Sequence, residues 1–110
     1  MNTNRLQQLL AFKEQTPDDP FILYALATEY IAGKDDLTAQ TYFETLIQTH
    51  PEYIGTYYHY GKLLERQNQP EKAITVYQTG IMIARKINDR HAGNELKEAL
   101  AMLSGDEDEF

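Results

Sequence analysis

A period of 34 residues runs through this chain. Pro17 returns as Pro51, Tyr24 as Tyr58, Ala39 as Ala73, Thr41 as Thr75 and Ile47 as Ile81, while Leu9 returns as Phe43 and again as Tyr77. A period of this length constrains the fold more tightly than any compositional feature. Each repeat is one helix pair that cannot bury its apolar face alone, so successive pairs stack into a solenoid. Scaffolds of this kind usually bind other proteins and perform no chemistry.

The length of 110 residues suits one domain with a modest core. With 42% hydrophobic and 25% charged residues the composition is that of an ordinary globular protein. No run of 18 apolar residues is present, so no membrane span is expected. The start, Met1-Asn2-Thr3-Asn4-Arg5, has no apolar core of a signal peptide, which makes the cytoplasm the expected location. The absence of cysteine removes disulfides, thiolate metal sites and a cysteine nucleophile.

A net charge of −7 argues against a nucleic-acid partner, whose phosphates need clustered Lys and Arg. The charge is uneven. Residues 1–61 carry three basic and eight acidic side chains, residues 62–97 seven basic and four acidic, and residues 98–110 five acidic and none basic. Only the middle block has a positive bias, which suits either solvated helix surface or attraction of an acidic peptide.

Periodicity and punctuation predict six helices and no strand. Leu6, Leu9, Leu10 and Phe12 stand at helical spacing in a first helix over about 4–15. Asp19-Pro20 reads as an N-cap and a first-turn proline opening a second helix to about Ala32, with Gly33 expected to end it in the left-handed conformation. Asp35 or Asp36 caps a third helix over about 37–49. A fourth is expected over about 53–67, a fifth over about 70–87 and a sixth from Asp89 or Arg90 to Ser104, ended by Gly105. The domain is thus expected over 1–104, and 105–110 as a disordered acidic tail.

Aligning the two complete units exposes a small-against-large pattern. The inward stripe of the leading helix is Leu23, Leu26, Ala27, Tyr30 in one copy and Tyr57, Tyr60, Gly61, Leu64 in the other. On the following helix it is Ala39, Phe43, Leu46 and then Ala73, Tyr77, Gly80. Ala27 and Gly61 leave room for a close helix crossing, and Phe43 and Tyr77 fill the space beside it.

This pattern resembles the tetratricopeptide repeat, with a bulky residue, then Leu-Gly, then an aromatic, and on the second helix alanine, aromatic, small residue and proline. Leu46 departs from it by replacing the small residue, which predicts a slightly wider crossing. Arg85 stands where a proline would close the second unit, so the fifth helix is expected to run on by about a turn. The following register falls on Leu96, Ala99-Leu100 and Leu103. The resemblance implies an all-α, right-handed solenoid of about six antiparallel helices, in the order half, full, full, half repeat. The polar faces of the outer helices (Gln7, Gln8, Lys13, Lys97, Glu98) suit caps.

The resemblance further implies a concave groove lined by leading helices and taking a peptide or partner protein. The corresponding positions are Phe21, Tyr24, Thr28 and Ile31 in one unit and Tyr58, His59, Lys62, Glu65 and Arg66 in the next. Tyr24 and Tyr58 are equivalent, and offer either flat binding surface or half-buried packing. A Lys/Asn/Arg clamp for acidic chaperone tails, present in one subfamily, is missing. Lys62 and Arg66 suit either a carboxylate ligand or a surface cluster around Glu65.

Nothing rises to catalysis. His50, His59 and His91 lack metal-ligand spacing, Ser104 is the sole serine, the glycines are scattered, and Asp18-Asp19 and Asp35-Asp36 lie where helix caps are needed. The expectation is a non-enzymatic, cofactor-free interaction scaffold with a protein or peptide partner. A homo-oligomerisation module and an accessory domain of an enzyme complex are the alternatives.

Overall fold

The computed structural model describes residues 3–105. Every regular element there is an α-helix: α1 Thr3–Gln15, α2 Pro20–Ala32, α3 Asp36–Thr49, α4 Gly55–Arg66, α5 Pro70–Lys86 and α6 Arg90–Ser104. Of the expected tail at 105–110, residues 106–110 lie outside the described residues. The chain divides into two compact units, one ending at Tyr53 and the next beginning at Ile54. The repeat pairs are α2 with α3 and α4 with α5, and each unit adds one outer helix.

In the first unit α2 packs against α3 and, less extensively, against α1. Leu9 of α1 joins Ile22, Ala25 and Leu26 of α2 in a buried cluster, with Leu6, Leu10, Tyr30 and Tyr42 around it. Being covered by two neighbours explains why α2 is apolar over most of its circumference. Leu26, Ala27, Ala39, Phe43 and Leu46 are fully buried.

In the second unit α5 packs against both α4 and α6, and α6 also touches α4. The expected crossing is present: a Cβ added at Gly61 would overlap the Tyr77 ring. A Cβ at Gly80 would lie 2.6 Å from Cβ of Tyr57 and 2.9 Å from Cδ1 of Leu96. Both glycines are therefore places where only a hydrogen fits. Leu96 and Ala99 are buried, and Leu100 and Leu103 half-buried.

Short polar side chains start three helices. Asp19 Oδ1 accepts the Phe21 N–H at 2.9 Å, Asp35 the Thr38 N–H at 3.2 Å and Asp89 the Ala92 N–H at 3.0 Å. Helix α4 starts at Gly55, two residues later than expected, because no side chain caps it and the Tyr53 N–H turns back to the His50 carbonyl at 3.0 Å. Helix α5 runs three residues beyond the repeat equivalent of the α3 end, as the missing proline implies.

The helix ends correct one expectation. Gly33 has φ −86°, and the left-handed residue is Lys34 at φ 63°. Asn68 and Asn88 hold the same conformation at 58° and 60°. In each case the residue after it donates to the carbonyl five back (Asp35 to Tyr30, Gln69 to Leu64, Asp89 to Ala84, each 2.9 Å), and the left-handed residue donates three back. This is a Schellman end, whose left-handed position follows the cap residue, so the glycine signal was one residue out of register. Gly105 ends α6 as expected, and does so in the left-handed conformation at φ 77°.

Candidate protein-interaction surface

The expected groove residues stand on the leading helices of the two pairs, and each unit presents its own set. On α2, Phe21 is 59% exposed. Tyr24 is half-buried, and its ring meets the Tyr53 ring at 5.5 Å with a 51° tilt. That geometry lies within the favourable range for aromatic pairs. Burial, and then proximity to Tyr53, raises the Tyr24 phenol above its ordinary pKa, so it stays a neutral hydrogen-bonding group. The Thr28 hydroxyl is committed locally, donating to the Ala25 carbonyl at 2.9 Å. Ile31 is half-buried.

On α4, Tyr58, His59 and Lys62 come together. The Lys62 ammonium lies 5.6 Å from the Tyr58 ring centre, and the His59 ring stands edge-on to Tyr58 at 5.5 Å. Lys62 also pairs with Glu65 at 3.7 Å. Glu65 accepts a hydrogen bond from the Tyr77 hydroxyl, which ties this face to the interior. Burial lowers the His59 imidazole below its ordinary pKa, opposed in part by Glu95. Arg66 is exposed, one turn beyond Lys62.

A cavity of about 180 Å³ opens beside Tyr58 and Lys62, closed on its other side by Glu95, Glu98, Ala99 and Met102 of α6. One wall carries an ammonium and the other two carboxylates. The face is thus zwitterionic, and Ala99 and the 66%-exposed Met102 add apolar lining. Glu95 and Met102 were not singled out in the sequence, Glu98 was read only as part of a polar cap face, and Tyr53 was not expected beside Tyr24. Tyr53 lies outside the helical register, and α6 follows a longer α5, so equivalence at 34 residues does not carry onto it.

Among the described residues no group of three His, Asp or Glu side chains converges as a metal site. No helix there is long and apolar enough to cross a membrane.

A tetratricopeptide repeat family model matches residues 56–79, which span most of α4 and the first part of α5. No curated protein matches the chain. The solution structure of a tetratricopeptide repeat domain protein from Salinibacter ruber is similar, with 42% identity and a TM-score of 0.78 over 81% of this chain and 90% of that one. A crystal structure of a tetratricopeptide repeat domain protein from the same organism gives 41% and 0.76 over 79% and 97%. A protein from Bordetella parapertussis shares the fold at 21% identity, with a TM-score of 0.79 over 92% of this chain and 88% of that one. The paired helices, the small-against-large crossings and these likenesses agree: the chain belongs to the tetratricopeptide repeat family.

Proposed function

We propose that the protein is a non-enzymatic interaction module that takes a peptide or partner protein on the leading-helix faces, that of α2 in the first unit and that of α4 in the second. The observation that carries this reading is the pair of equivalent tyrosines. Each is held by a neighbour, Tyr24 by Tyr53 and Tyr58 by Lys62 and His59. An amphipathic ring that is already immobilised loses little entropy when a partner docks on it, which is what aromatic anchors of interfaces exploit. Phe21, Thr28 and Arg66 complete the proposed surface, and the mixed charge around Tyr58 favours a ligand of mixed polarity over a purely acidic one.

The test is a pull-down from native lysate with the unaltered chain and with a Tyr24→Ala/Tyr58→Ala/Lys62→Glu variant, followed by calorimetry on the captured partner. Tyr58→Ala alone should weaken binding by about 1–2 kcal/mol while circular dichroism stays unchanged. Equal binding by the triple variant would move the site elsewhere. A mass that rises with concentration and falls back in the triple variant would replace the partner by a second copy of the chain.

A further inference from the structure

Several cations of this acidic chain are visibly partnered. Arg5 pairs with Glu29 at 3.1 Å, Lys13 lies 5.1 Å from the Tyr42 ring centre, Lys62 pairs with Glu65, and Lys72 lies 5.9 Å from the Tyr60 ring centre. Arg85, Arg90 and Lys97 differ. All three are exposed, and none has an ion-pair partner among the described residues. They line one cleft of about 190 Å³ between the end of α5 and the first half of α6. Its one carboxylate, Asp89, is committed to capping the Ala92 N–H at 3.0 Å.

We infer that this cleft is a second docking surface, separate from the tyrosine-bearing faces, and that its occupant is an extended acidic segment of a partner protein. Charge complementarity is the first argument, since three cations against the single Asp89 carboxylate leave the concavity with a net positive charge that attracts carboxylates. Spacing is the second. Arg90 and Lys97 are two helical turns apart, about 10 Å along α6, which matches about three residues of extended chain at ~3.4 Å each. The floor is the third. Ala84 is buried there and faces Gly93, where an added Cβ would sit 3.5 Å from the Ala84 Cβ, so no large side chain blocks a peptide backbone.

The cleft exists because α5 runs on past the point where its repeat equivalent stops, and Arg85 lies in that extension. No aromatic side chain lines the cleft, which leaves nothing for a nucleic-acid base to stack on.

Fluorescence anisotropy of a labelled octapeptide of alternating Asp and Glu, titrated with the full chain at low and physiological salt, tests this. Arg85→Glu/Lys97→Glu should weaken binding by roughly tenfold or more, and binding to the unaltered chain should weaken as salt rises. Each reversal subtracts two charges, taking the net charge from −7 to −11. Arg5→Glu/Lys72→Glu carries the same charge on other surfaces and should bind within about twofold of the unaltered chain. Equal loss in both variants would reduce the effect to net charge and overturn the site. So would equal affinity for an Asn/Gln octapeptide, or no binding at low salt. An octathymidylate that binds more tightly through the same residues would overturn the peptide as occupant. So would a concentration-dependent mass, in the chain alone, that is abolished by the Arg85 and Lys97 reversals. None of these outcomes depends on Tyr24 or Tyr58, so the cleft and the groove fail or stand separately.

Discussion

The two units share a small-against-large pattern at one pair of core positions and differ at another. Where the first has Leu23 and Leu46, the second has Tyr57 and Gly80. Where the first has Ala27 and Phe43, the second has Gly61 and Tyr77. All eight positions are buried in the structure. In the second unit each large ring sits against a glycine that has no room for a methyl group, whereas the first keeps a small-against-large pattern only at Ala27 and Phe43 and has two aliphatic side chains, Leu23 and Leu46, at the other pair. Interiors pack to near-crystalline density, so the size of one residue at a crossing limits the size of its neighbour.

The strongest way to break this comparison is at the tightest crossing. Gly61→Leu should cost about 3 kcal/mol or more, because the Tyr77 ring cannot retreat without abandoning its bond to Glu65. Urea denaturation checks it, and an unchanged midpoint would remove the packing account.

A sharper test puts the same residue at one repeat position in both units. Leu46→Ala should lose about 3 kcal/mol by emptying a fully buried site. Gly80→Ala should lose about 1–3 kcal/mol for the opposite reason, overpacking against Tyr57 and Leu96. Adding Tyr57→Leu to Gly80→Ala should cost less than the sum of the two single changes in a double-mutant cycle, because it gives the second unit the smaller partner found in the first. Strict additivity would mean that the volumes do not trade.

Phe43 and Tyr77 differ by a hydroxyl, and alkaline pH should reveal it. Burial, the hydrogen bond to Glu65 and the charge of Glu65 all push the Tyr77 phenol far above its usual value near 10. The folded state therefore holds this proton more tightly than the unfolded chain. The resulting stability is complete below pH 10 and is lost as pH rises above it. Melting temperature should fall above pH 10. Tyr77→Phe should cost about 1 kcal/mol at neutral pH and make the alkaline fall shallower. Tyr24, Tyr30, Tyr53 and Tyr57, also raised chiefly by burial, should keep part of the slope. An identical slope in the variant would detach Tyr77 from the effect.

The smallest contrast lies at the helix ends. Lys34 and Asn68 are repeat equivalents, both left-handed. Lysine accommodates that conformation worse than asparagine does. Lys34→Gly should stabilise by about 0.5–1 kcal/mol and Asn68→Gly by less, as read from paired thermal melts. A larger gain at Asn68 would reverse the ranking.

Much of the architecture was legible before any coordinates. The 34-residue period, the capping aspartates, Pro20 as a helix opener and the missing proline at Arg85 are local or periodic signals. A local signal acts on its own turn of helix whatever surrounds it, and a periodic one marks which side of a helix must be buried. The small-against-large pairing of Gly61 with Tyr77 was legible for the same reason, because it recurs at a fixed offset. The position of the left-handed residue was not. A Schellman end is defined by two hydrogen bonds rather than by a residue type, and Lys34 adopts it where a glycine one place earlier gave the louder signal. Tyr53 beside Tyr24, the acidic wall of Glu95 and Glu98 facing Lys62, and the gathering of Arg85, Arg90 and Lys97 in one cleft belong to the tertiary structure alone. Each joins residues whose separation in sequence follows no period. Which charged groups meet is then set by where α5 stops and α6 starts, and that follows from packing between helices rather than from the pattern within any one of them.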